Sequence, residues 1–235
     1  MSEEAKNLLM RLKKEKKVNK QIELVQALKE YNQLEMVNHV LLIHLERKDH
    51  DSLRMEILAA LNYEDEAIVK PLVDILNDSK ETQAVKEKVL SLLGQNKGKK
   101  AMSAVLTAFK KIKDPKIKDN ITYALTFFED TKVVKPLVKS LQNDDLRLQA
   151  LTGLSRNEIL LLSSLDLIKT ITSLDITRNF EKLHYENILD TIFDIFGYKS
   201  KEEIIAAIKD KSINQKIQDY QKKQLEIKKT LKKVR

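Results

Sequence analysis

Two stretches of the chain nearly repeat each other: Ala67-Ile-Val-Lys-Pro-Leu-Val-Asp-Ile-Leu-Asn-Asp78 and Lys132-Val-Val-Lys-Pro-Leu-Val-Lys-Ser-Leu-Gln-Asn-Asp144. Their common core, Val-Lys-Pro-Leu-Val, begins at 69 and again at 134, which is two units of 32 to 33 residues. Periods of about 20 to 50 residues are the mark of repeat architectures. Midway lies Ala101-Met-Ser-Ala-Val-Leu-Thr-Ala-Phe109, with Ala104 where Pro71 and Pro136 fall. A second column keeps the same step: Leu53-Arg54, Val85-Lys86, Ile117-Lys118 and Leu146-Arg147 follow one another at 32, 32 and 29 residues. Each pair opens a helical apolar pattern, such as Leu53, Ile57, Leu58, Leu61 or Ile117, Ile121, Ala124, Leu125. The unit is therefore a pair of helices.

Composition gives the same answer. In 235 residues there are 4 Gly and 3 Pro, about 3% against roughly 12% in average usage, too few for the frequent turns of a β-sandwich or barrel. An all-α fold is expected. Asn77-Asp78-Ser79, Asp114-Pro115 and Asn143-Asp144-Asp145 supply capping and turn residues between the two helices of a unit. Pro71 and Pro136 fall about four residues into a first helix, where proline kinks the helix or begins it afresh.

These units resemble HEAT repeats, the two-helix modules of α-solenoids. The resemblance covers 33–63, 64–94, 97–129 and 130–157 and continues more faintly through 158–197. It rests on an Asp or Asn at the turn followed by an apolar-basic pair, as in Asp114-Pro-Lys-Ile-Lys118 and Asp144-Asp-Leu-Arg147; the second unit, Thr82-Gln-Ala-Val-Lys86, departs from it. It implies a right-handed α-solenoid of about five helix pairs and binding more often than catalysis. Residues 1–31 read as capping helices, 32–197 as the repeats, and 198–235 as C-terminal helices. Terminal units of an array are expected to be atypical. The last helix carries Ile213, Ile217, Tyr220, Gln224, Ile227, Leu231 and Val234 in a heptad seam flanked by lysine and no acid, a pattern that opposes a homodimeric coiled coil. A cap on the last repeat, or a helix offered to a partner, are its two readings, and the chain is expected to be a monomer.

The net charge of +8 is uneven along the chain. Residues 199–235 hold 12 basic and 5 acidic groups, whereas 32–198 hold 23 and 25. The densest internal run is Lys86 to Lys118, with ten lysines against Glu87 and Asp114, while 49–78 carries eight carboxylates against Arg54 and Lys70. Lys97, Lys99, Lys100, Lys110, Lys111, Lys113, Lys116 and Lys118 are the candidate partner-binding residues, on the edge formed by turns. Such a field attracts an acidic protein surface or a phosphate backbone; solvated lysines on exposed turns are the competing reading. The column Arg54, Lys86, Lys118 and Arg147 is read as a structural ladder pairing with turn carboxylates such as Asp51, Asp114 and Asp144, because HEAT solenoids resemble such ladders.

Catalytic and metal signatures are missing from the sequence. There is no cysteine, no Gly-rich phosphate loop and no G-x-S-x-G elbow. His39, His44, His50 and His184 contain no i, i+4 pair, and the His-Glu dipeptides of iron-binding HEAT hydroxylases are absent. No cofactor, metal or catalytic residue is expected. No apolar run approaches the roughly 18 to 20 uncharged residues of a membrane span, and the N-terminus lacks a basic n-region, so a cytoplasmic location is expected. The function expected is a non-enzymatic scaffold or adaptor that binds another protein, one with an acidic surface, through its concave or turn surface. Nucleic-acid binding through the lysine edge is the alternative.

Overall fold

Helices begin where the sequence offers an oxygen to otherwise unpaired first-turn amides. Ser2 accepts from Ala5 N–H, Thr82 from Val85, Asp114 from Ile117, Asn157 from Leu160, Ser164 from Leu167 and Ser200 from Glu203. Pro115 follows its cap at the first helical position, where no amide bond is lost. The computed structural model describes residues 2–46 and 50–234, without the side chains of 232–234. Asp49 of the acidic stretch, and the lysines, Val234 and Arg235 that end the basic tail, lie outside the described residues and side chains.

Fifteen α-helices and no strand occur among the described residues. They are α1 Glu3–Lys14, α2 Val18–Leu28, α3 Glu35–Leu45, α4 Asp51–Ala60, α5 Val69–Asn77, α6 Gln83–Asn96, α7 Lys99–Lys111, α8 Pro115–Leu125, α9 Val134–Leu141, α10 Arg147–Leu154, α11 Glu158–Leu162, α12 Leu165–Ser173, α13 Asn179–Phe196, α14 Lys201–Lys209 and α15 Ile213–Val234. The four sequence units coincide with the pairs α3/α4, α5/α6, α7/α8 and α9/α10. No described helix is long and apolar enough to cross a membrane.

The recurrent proline starts a helix afresh. Asp65 caps a 3-10 turn, Glu66–Ile68, by accepting from Ala67 N–H, and α5 then begins with Pro71 in its first turn. Asp130 does the same through Lys132 N–H ahead of the 3-10 turn Thr131–Val133 and α9, with Pro136 in the matching place. A proline there costs no intrahelical bond, so the column is tolerated without a kink.

The chain divides into two compact units, 1–107 and 108–235. In the first, α1 packs on α2 and α3, and the second helices follow one another, α2 on α4 and α4 on α6. The core is aliphatic, with Leu28, Leu41, Leu45, Ile57, Leu58 and Leu72 fully buried. In the second unit, α8 packs on α10 and α10 on α13, while α9 packs on α12 and α12 on α14. Gly153 marks the closest approach there: a Cβ at this position would lie 2.0 Å from Thr126 Oγ1, so only glycine lets α10 come this near the end of α8.

Hydrogen bonds between consecutive pairs recur at about the unit length. Asn96 Nδ2 donates to the Tyr63 carbonyl at 2.7 Å, 33 residues away. Asn157 Nδ2 donates to the Thr126 carbonyl at 2.6 Å, 31 residues away. Each ties the end of one second helix to the loop after the previous one, satisfying carbonyls that the helix leaves without an amide partner.

Candidate functional site

The basic column places three of its four members alike. Each reaches back to a carbonyl at the C-terminal end of the first helix of its own pair: Arg54 Nε to Leu45 O at 3.2 Å, Lys118 Nζ to Phe109 O, and Arg147 Nε to Leu141 O at 2.8 Å. A cation there meets the negative end of the helix dipole and carbonyls lacking an amide donor. Lys86, half-buried on α6, makes no ion pair among the described residues.

Carboxylates complete two of these arrangements. Arg54 Nη1 and Nη2 donate to Glu81 Oε1 and Oε2 at 2.7 and 2.6 Å, and Asp51 lies 3.9 Å away. Glu81 holds the Arg54 guanidinium above its ordinary pKa, chiefly through this hydrogen bond. Arg147 meets Asp144 at 2.5 Å and the fully buried Glu181 at 3.7 Å, which Arg178 also approaches at 3.7 Å. Asp51 and Asp144 were named from the sequence, but Glu81 and Glu181 were not. They lie 27 and 34 residues beyond their arginines, too variable a spacing to read as a motif. Asp114 is not the partner of Lys118: its side chain is occupied capping α8.

Lys118 opens onto a groove of about 510 Å³ in the second unit, lined by Phe109, Lys110, Ile112, Lys113, Pro115, Lys118, Lys139, Asn143, Asp145 and Leu146. Its floor is apolar, and lysines occupy its rim. The Lys118 ammonium also sits 4.0 Å above the Phe109 ring centroid, a cation–π contact. Burial, and then the charges of Lys113 and Lys139, push this amine below its ordinary pKa.

Of the eight lysines on the edge expected to bind a partner, the groove gathers Lys110, Lys113 and Lys118. Lys111 and Lys116 are exposed on the same segment but do not line it. In the first unit, Lys97 takes a left-handed conformation (φ 56°) at the end of α6, Lys99 opens α7, and Lys100 pairs with Glu66 at 2.9 Å. Lys139 was missed because it lies in the next repeat, 21 residues from Lys118 in sequence. His44 is buried with Nδ1 at 2.9 Å from the Val40 carbonyl, and His184 lies 3.5 Å from the Ser155 hydroxyl.

Set against models of known protein families, the chain matches none, and no curated protein matches it in sequence.

Proposed function

We propose that this chain is a monomeric, non-enzymatic adaptor of the HEAT type, cytoplasmic, whose helix pairs stack as a right-handed α-solenoid and whose groove at the α7–α8 and α9–α10 turns holds a segment of a partner protein. The groove carries this reading: an apolar floor of Phe109, Ile112, Pro115 and Leu146 lies inside a rim of Lys110, Lys113, Lys118 and Lys139. Peptide segments are recognised by apolar anchors that supply affinity and by charges that set orientation and encounter rate. Stacked helix pairs leave turns and faces free along their length, which suits binding. Asp145 in the lining disfavours a continuous phosphate backbone. Lysine in place of arginine at every rim position disfavours base reading, which relies on the guanidinium fork.

A photo-crosslinking residue at Ile112, irradiated in lysate of the expressing cells, tests the proposal. Protein adducts that disappear when Lys110, Lys113 and Lys139 are changed to Glu are the expected result. Adducts to nucleic acid, or protein adducts indifferent to the charge reversal, would overturn it.

A further inference from the structure

Arg54 and Arg147 each stand between two carboxylates. One lies three residues earlier, Asp51 or Asp144; the other lies where the second helix of the next pair begins, Glu81 or Glu181. Lys118 has the same backbone attachment, through the Phe109 carbonyl, but neither acid. Three residues before it stands Pro115, and the turn ahead of α10 puts no carboxylate within 4.0 Å of its amine among the described residues. The place that Glu81 fills for Arg54 is, for Lys118, the open groove bordered by Asn143 and Asp145. A half-buried ammonium faced by two other lysines is an unfavourable arrangement that an incoming anion relieves.

We propose that the groove is a carboxylate socket, in which a glutamate side chain of the partner occupies the missing acidic position beside Lys118 while an adjoining apolar side chain rests on Phe109, Ile112 and Leu146. The inference rests on the protein-binding reading above and adds its chemistry. One acid suffices, because the slot corresponds to one side chain in the neighbouring pairs. The lysine rim attracts the acidic segment from a distance and the apolar floor retains it. Asp145, on the same lining, opposes a run of successive negative charges and so favours an isolated glutamate over a polyanion.

The test measures fluorescence polarisation of short labelled peptides carrying a central Glu beside Leu, the same peptides with Gln in place of Glu, and a single-stranded oligonucleotide. The Glu peptide is expected to bind the intact chain about tenfold tighter than its Gln counterpart, the effect of one charge-assisted hydrogen bond. Lys118→Met should abolish that preference and Lys118→Arg should keep it. Asp145→Glu, which extends an internal carboxylate toward the amine, should weaken the Glu peptide while raising the melting temperature. Equal binding of the Glu and Gln peptides, or a preference unchanged in Lys118→Met, would overturn the socket and leave the adaptor reading standing. Oligonucleotide binding with no binding of either peptide would overturn both.

Discussion

Arg54 and Glu81, 27 residues apart, form a two-pronged ion pair at 2.7 and 2.6 Å with side chains only 3% and 2% exposed. Arg54 also donates to Leu45 O, so one buried cation joins the end of α3, its own helix α4 and the turn before α6. Two charges removed from water are tolerated because each satisfies the other and the remaining donor finds a carbonyl.

Breaking this pair on one side should cost far more than removing both sides. Glu81→Ala leaves a buried, unpaired guanidinium and is expected to lower stability by about 3–5 kcal/mol. Arg54→Met with Glu81→Leu should recover most of that loss, since apolar side chains of similar volume leave no stranded charge. Urea unfolding of the two single variants and the double variant checks this; additive losses would show that the pair is not a unit.

Lys97 ends α6 in the left-handed region, where a side chain costs energy that glycine does not. Lys97→Gly is expected to raise stability by about 0.5–1 kcal/mol, the strain relieved less the added chain entropy. Equilibrium denaturation measures it. The same variant should leave peptide binding at the groove unchanged, because Lys97 does not line it.

Tyr220 fastens α15. It is buried with Ile213 and Ile217, whereas Leu225 and Leu231 farther along the same helix are 54% and 60% exposed. Its hydroxyl donates to Glu158 of α11 at 2.8 Å, and Lys228 reaches Glu129 at 2.5 Å. Burial first, then the hydrogen bond to Glu158, raise the phenol above its ordinary pKa of 10.0; Glu129 adds to this and Gln224 opposes it. A phenol whose pKa is raised by folding contributes stability in full below its unfolded value and loses it as pH rises through the folded one. Docking of α15 should therefore be intact below about pH 10 and weaken above it. Tyr220→Phe should cost about 1 kcal/mol at neutral pH and remove this part of the alkaline loss. Truncation after Gln224 should change the melting temperature little, since the seam beyond it is mostly exposed, whereas deletion of 213–235 should lower it clearly. Scanning calorimetry between pH 7 and 11 separates these outcomes.

The helix pairs were legible before any coordinates because their signals are local. The proline column, the caps at Thr82, Asp114 and Asn157, and the apolar spacing of α4 and α8 each depend on residues within a few positions of one another. Partner identity was less legible. Asp51 and Asp144 lie three residues from their arginines and were named; Glu81 and Glu181 lie in the next pair and were not. Asn96 and Asn157, which tie successive pairs together, carry no pattern that marks them off from ordinary surface asparagines.

By itself the sequence determined an all-helical chain of repeated helix pairs, with lysine concentrated from 86 to 118 and toward the end, because helix propensity, capping and period are properties of neighbouring residues. Only the tertiary structure decided which lysines share a groove, that Lys139 joins Lys118 there and that no acid answers Lys118 among the described residues. Those facts depend on how one helix pair packs on the next, and packing brings together side chains whose separation along the chain carries no signal of their contact.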